Sequence, residues 1–328
     1  MVTCLALDFG GSSVKHALVD EDATVRERGS VPAPLDSPEQ FVSCVRDLYD
    51  RYGSGIDGIA ISMAGPIDTE SGVLLNSGAY TALYNRNILQ LLADELPVAI
   101  ALENDGKCGA LAEAWNGRLA EQRDGAVILL GTAIGGGIVQ NGRVLHGRGF
   151  AAGEFSHLIV DAFDRSVLGV AGVACGMVGL TYKLCKAKNL DLSVQDARPL
   201  LEHIDSLVSD RFLTHNAPPA RLKVDGKQFF QWLADSDPDA QRIYADFIAS
   251  LAALAQNIQS VVAPTVIAIG GGLTNAPRVI SDLSAALADY YERTQTPSEL
   301  QAVIVPCAHR GEGNVVGATY NFLSRHVW

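Results

Sequence analysis

The residues of this chain best suited to hold phosphate lie in two glycine-rich turns about 120 residues apart. The first is Asp8-Phe9-Gly10-Gly11-Ser12-Ser13-Val14-Lys15, and the second is Gly131-Thr132-Ala133-Ile134-Gly135-Gly136-Gly137. Each follows an apolar run, Cys4 to Leu7 and Ala126 to Leu130, and each leads into strand-forming residues, Val14 to Val19 and Ile138 to Val139. Glycine lets successive backbone N–H groups crowd together without Cβ clashes, and such a nest holds anionic oxygens. A single Gly-Gly pair is as well explained by an ordinary hairpin. The repeated pattern, with a hydroxyl in each turn (Ser12, Thr132) and a carboxylate opening the first, points to polyphosphate. No Gly-x-x-x-x-Gly-Lys-Ser/Thr loop occurs. Gly147-Arg148-Gly149-Phe150-Ala151-Ala152 fits a dinucleotide fingerprint by letter only, because no apolar strand leads into it and no clear helix follows.

Composition narrows the partners. With 328 residues the chain can bury a large core and is expected to form two lobes. A formal net charge of −12 argues against nucleic acid, so an anionic nucleotide must be held locally by the nests, Lys15 and a divalent cation. The first residues lack the basic start and apolar core of a signal peptide, and no apolar run is long enough to span a membrane. The six cysteines form no Cys-x-x-Cys pair and fall within apolar patterns, as expected of reduced, buried thiols in the cytoplasm.

The elements that must position these turns can be read from periodicity. Thr3 to Phe9, Val14 to Asp20 and Thr24 to Val31 predict a three-stranded meander. A helix is predicted from Ser37 to Tyr52, a strand from Gly58 to Met63, a helix from Asn87 to Glu95 and a strand from Val98 to Leu102. Asp105 to Trp115 then predicts a helix starting just after that strand. The pattern restarts at Ala126, with a hairpin at Asn141-Gly142, a long helix from Asp237 to Val262 and a strand from Pro264 to Ile269 that stops at Gly270-Gly271-Gly272. Ala302 to Val305 predicts a late strand and Asn314 to Arg325 a terminal helix. The order β-β-β-α-β-α thus occurs twice, with extra helices in the second copy. The expected lobes are residues 1–118, with a helix over about 308–328 packing back on them, and residues 119–307. The polar stretch from Asn189 to Lys227 suggests a helical insertion over about 189–235.

A duplicated α/β unit with a phosphate turn in each copy resembles the two-lobed actin-like ATPase (ribonuclease H-like) fold of sugar kinases. Specific motifs narrow the resemblance to the ROK family of repressors, open reading frames and kinases. The family's Asp-x-Gly-Gly-Thr-x-x-Lys motif stands at Asp8 to Lys15, with Ser12 in the threonine position. Its Glu-Asn-Asp motif is Glu103-Asn104-Asp105, its second phosphate motif is Gly131 to Gly137, and its Gly-Glu-x-x-His element is Gly153 to His157. The adenosine-side strand and glycines match at Val266 to Gly272.

This resemblance implies ATP-dependent phosphorylation of a hexose or hexose derivative on its 6-hydroxyl. Asp105, at a helix start, is the expected base, and a plain helix N-cap is its bland alternative. Asn104 is expected to orient a sugar hydroxyl, and Gly65, Asn76, Glu154 and His157 to line the sugar. Asp8 is expected to reach Mg²⁺ directly or through water. Gly10, Gly11, Ser12, Lys15, Gly131, Thr132, Gly136, Gly271 and Gly272 are the expected ATP contacts. A homodimer is the expected assembly.

The chain departs from the family on the sugar side. Family members often hold zinc through Cys-x-Cys-Gly-x-x-Gly-Cys, and the matching segment here is Val173-Ala174-Cys175-Gly176-Met177-Val178-Gly179-Leu180, so no zinc site is expected. Tyr182 replaces a sugar-contacting glutamate, Ser156 a glycine and Lys107 an asparagine. A sugar-binding regulator without catalysis is the alternative reading, opposed by the retention of Asp8, Lys15 and Asp105.

Overall fold

The computed structural model describes residues 1–75, 78–208 and 218–328. Its first sheet is built around β1 (Thr3–Phe9), a strand buried along its whole length. β2 (Ser13–Asp20) pairs antiparallel with β1, and β3 (Val25–Pro32) pairs antiparallel with β2. The chain then forms α1 (Pro38–Tyr52), started by the Ser37 side chain accepting from the Gln40 N–H and by Pro38 in the first turn. β4 (Gly58–Met63) follows, then the short hairpin β5 (Ile67–Asp68) and β6 (Val73–Leu74), α2 (Ile88–Ala93), β7 (Ala99–Asn104) and α3 (Asp105–Asn116). The sheet order is β3-β2-β1-β4-β7.

Side-chain size differs between the two faces of this sheet. Leu5, Leu7, Phe9, Ile59, Ile61 and Met63 pack with Phe41, Val45 and Leu48 of α1. The other face is small, with Cys4, Ala6, Ala60 and Ala101 packing against Val315, Ala318 and Phe322 of the terminal helix. Alternation along a strand then fixes the next residues on that small face. Asp8 lies opposite Ser62, and Ser62 opposite Glu103, so the three form a polar row near the carboxyl ends of β1, β4 and β7.

The second sheet uses β8 (Gly125–Leu130), β9 (Ile134–Gln140), β10 (Arg143–Val144), β11 (Val266–Gly270) and β12 (Ile304–Pro306) in the order β10-β9-β8-β11-β12. Each strand holds the place of its counterpart in the first sheet, and the duplication expected from sequence is therefore present in the topology. Helices α4 (Ala171–Ala174), α5 (Met177–Lys188), α6 (Arg198–Val208), α7 (Gly226–Ala234), the 25-residue α8 (Pro238–Val262) and α9 (Arg278–Thr294) accompany it, and α10 (Gly313–His326) ends the chain. α6 and α7 fall in the stretch where a helical insertion was expected, and part of that stretch lies outside the described residues.

By packing, one unit comprises Met1–Val127, Gly136–Glu154 and Cys307–Trp328, and the other Ile128–Gly135 and Phe155–Pro306. This differs from a division at residue 118. Gly136–Glu154 groups with the first unit because Gly106 of α3 lies against the backbone of Gly136, where a Cβ would come within 2.3 Å of the Gly136 nitrogen. The second glycine turn is also shorter than expected. β9 begins at Ile134, so Gly135, Gly136 and Gly137 are strand residues, and a Cβ on Gly137 would meet the Ala110 Cβ at 2.6 Å. Close helix approach overrides the poor strand propensity of glycine here.

Candidate active site

Within the polar row of the first unit, Asp8 and Ser62 are joined by a hydrogen bond. Asp8 Oδ1 accepts from Ser62 Oγ at 2.9 Å and from Asn314 Nδ2, in the first turn of α10, at 3.0 Å. One carboxylate oxygen is thus fixed, while Oδ2 accepts nothing among the described residues. Sequence reasoning missed both partners. The available signals were slight: a lone hydroxyl in the otherwise apolar β4, and an asparagine opening the glycine-bearing terminal helix.

At the β7–α3 junction, the N-cap is Asn104. Its Oδ1 accepts from the Lys107 N–H at 3.0 Å, and its Nδ2 donates to the Gly65 carbonyl at 3.0 Å. Asn104 therefore spends its amide on holding the helix start and the turn at Gly65, which has φ +99°. Asp105 is the first helical residue, with its Oδ1 accepting from the Gly106 N–H at 2.7 Å. The capping role that could have explained Asp105 belongs to its neighbour. Burial, then the nearby carboxylates of Asp8 and Glu154, push the Asp105 carboxyl up to about 6, against the opposing Gly106 N–H and Lys107 ammonium. Glu103, also buried, accepts from the Asn104 N–H at 2.8 Å and from His146 Nε2 at 2.7 Å.

Lys107 is only 1% exposed. Its ammonium donates to the Phe150 carbonyl at 3.0 Å and to Glu154 Oε1 at 3.3 Å. Glu154 ends the first unit, and His157, exposed, belongs to the second. Asn76 lies outside the described residues.

In the first glycine turn, Gly10 is committed internally. Its N–H donates to the carbonyls of Asp8 (3.2 Å) and Ser13 (3.1 Å), and its carbonyl accepts from Tyr80 at 2.7 Å. Gly11 and Ser12 are exposed, and their N–H groups find no acceptor among the described residues; Lys15 is exposed on β2. The open part of the nest is therefore Gly11-Ser12.

In the second unit, Gly131 and Thr132 are exposed, and their carbonyls accept from Met177 and Val178 at the start of α5, both at 2.9 Å. Gly136 is not in an exposed turn: it is buried inside β9, where its lack of a side chain serves the contact with α3. Gly271, with φ +88°, is required by close approach to Leu130, where a Cβ would fall 2.5 Å from backbone atoms. Gly272 faces open space. Tyr182, at the counterpart of the sugar-contacting glutamate, is buried, and its hydroxyl donates to Asp205 of α6 at 3.0 Å.

Comparison with known proteins gives this arrangement a family. The family model described as "ROK family" matches residues 4–324. The chain belongs to the ROK family. Among relatives, this ROK protein is 26% identical over 318 residues to the beta-glucoside kinase of Listeria innocua, covering 97% of this chain and 96% of that one. It is 25% identical over 325 residues to the N-acetyl-D-glucosamine kinase of Escherichia fergusonii, covering 97% and 98%. The solved structure of a ROK family protein from Streptococcus pneumoniae in complex with sucrose shares its fold, with TM-score 0.79, 22% identity and 99% of each chain covered. A ROK family glucokinase from Streptomyces griseus, in complex with glucose and AMPPNP, has TM-score 0.72, 19% identity and coverages of 96% and 97%. The α/β fold of this ROK protein is thus the actin-like ATPase fold of the family's sugar kinases.

Proposed function

We propose that this protein transfers the γ-phosphoryl group of ATP to the 6-hydroxyl of a hexose or hexose derivative. The observation that carries the reading is Asp105, a carboxylate at a helix start that burial and the nearby Asp8 push up to about 6. The names of the relatives, beta-glucoside kinase and N-acetyl-D-glucosamine kinase, support a gluco-configured acceptor.

Asp105 Oδ2 takes the hydroxyl proton as the sugar oxygen forms its bond to the γ-phosphorus. The bond from that phosphorus to the β,γ-bridging oxygen breaks, and ADP leaves with the electron pair. A base titrating at about 6 is ionised at neutral pH yet basic enough to share that proton in the transition state. The Gly11 and Ser12 N–H groups and Lys15 bind phosphate oxygens, with Gly131 and Thr132 as further contacts. The Asp8 donor set fits Mg²⁺, which takes one or two carboxylates and completes its shell with water and phosphate oxygens. Bound there, Mg²⁺ would neutralise phosphate charge. Ser62 and Asn314 keep the Asp8 carboxylate oriented.

The test is ADP release with glucose, N-acetylglucosamine, N-acetylmannosamine and a β-glucoside, with the product located by phosphorus–proton NMR. We expect sugar-dependent release and a phosphate on carbon 6. No release above the sugar-free rate with any of them removes the kinase reading and favours a binding regulator. A homodimer in the cytoplasm is the assembly and compartment we propose, and light scattering measures the first.

A further inference from the structure

One segment of the first unit is held in an unfavourable backbone shape. Between His146 and Glu154, Gly147, Gly149 and Gly153 have φ of +64°, +62° and +81°, and Phe150 has φ +59°. Glycine accepts this region readily, whereas a bulky aromatic does not. Two tethers from the β7–α3 junction hold the segment. At one end His146 Nε2 donates to the buried Glu103. At the other, the Lys107 ammonium donates to the carbonyl of Phe150 itself and to Glu154.

We propose that Lys107 is a positioning residue that locks the 146–154 segment and presents Glu154 to the sugar. Three observations converge. A lysine only 1% exposed is rare, and the Nζ of this one meets a carbonyl and a carboxylate oxygen. It grips the carbonyl of the one non-glycine residue in the segment with positive φ. It also takes a single oxygen of Glu154, whose side chain is 17% exposed and whose Oε2 accepts nothing among the described residues. One oxygen is therefore anchored and the other offered to a ligand hydroxyl. Lys107 stands where the family's motif has an asparagine, and a shorter neutral amide could not bring an ammonium to these acceptors. The inference rests on the sugar-kinase reading for the identity of the ligand, but not for the lock.

Lys107→Met keeps the aliphatic stem and removes the charge, while Glu154→Gln removes the charge at the other end. Hydrogen exchange of residues 147–154 in the sugar-free protein reads the lock without any activity. We expect exchange there to quicken about tenfold in either variant while β1 and β4 stay protected. The KM for sugar should rise about tenfold or more with the KM for ATP unchanged, and the double variant should be no worse than the poorer single one. Unchanged exchange and unchanged sugar KM overturn the proposal, as does a double variant whose losses multiply. If Lys107→Met does not fold cooperatively, the Glu154→Gln exchange result decides alone. If the wild type phosphorylates no sugar, the kinase reading has failed, and the exchange measurement still decides the lock.

Discussion

At the scale of single residues, Asp105 couples chemistry to stability in opposite directions. An acid whose pKa rises on folding takes up a proton between its unfolded value, about 3.9, and its folded value. Folding is therefore favoured at the acid end of that window and progressively penalised as pH rises through about 6, where the native carboxylate must ionise in partial burial beside Asp8 and Glu154. Asp105→Asn removes that penalty. At pH 7 it should unfold at higher urea concentration, with a gain on the order of 2 kcal/mol, and turnover should fall by roughly 10²-fold or more while sugar and ATP still bind. The wild-type kcat/KM should drop tenfold per pH unit below about 6. Near-normal turnover in the variant would remove Asp105 from the mechanism. Asp105 and Asp8 were legible in the sequence as candidates because of their residue types and the motifs around them. Ser62, Asn314 and His146 were not, because what gives them meaning is a register across three strands or a side-chain contact made 306 or 43 residues away along the chain.

Among the elements, α10 places Asn314 on Asp8, and it can do so only by lying very close to α3. A Cβ on Gly317 would stand 1.7 Å from the Cys108 carbonyl oxygen, a backbone atom that cannot move aside without moving α3. Gly313, in the first turn of the same helix, would meet nothing nearer than 3.6 Å. Gly317→Ala should therefore destabilise the protein by about 2 kcal/mol or more, whereas Gly313→Ala should leave stability level or slightly higher, as helix propensity favours alanine. Urea unfolding of the pair is the measurement, and equal midpoints would refute the close-packing account. The same physics explains which elements the sequence disclosed. α1 and α8 carry clear caps and apolar periodicity, and they begin within a residue of expectation. β9 hid behind its glycines, of which Gly136 and Gly137 lie tight against α3, a long-range contact that local propensity does not contain.

For the molecule as a whole, the sheet order is repeated in the two halves, and we propose that integrity rests on apolar packing and not on a metal. The segment that holds zinc in many family members illustrates this. Val173 and Leu180 stand where thiolates would, and Leu180 is buried. Cys175 is also buried, burial pushes its thiol up to about 12, and it lacks the two companion thiols of the family's motif. The job of fixing this segment falls instead to hydrogen bonds and close packing. The N–H groups of Met177 and Val178 hold the Gly131 and Thr132 carbonyls, and Gly176 admits the Thr132 carbonyl to within 2.6 Å of where its Cβ would be. A chelator should then leave the melting temperature unchanged, and elemental analysis should find far less than one zinc per chain. Activity should nevertheless vanish in the same chelator and return with added Mg²⁺, because the phosphate charge must be neutralised. A melting temperature that falls on chelation and recovers with zinc would mean that residues other than the family's cysteines hold a structural metal. Loss and recovery of activity at constant melting temperature would place the metal requirement in the chemistry and leave the fold to stand on its own contacts.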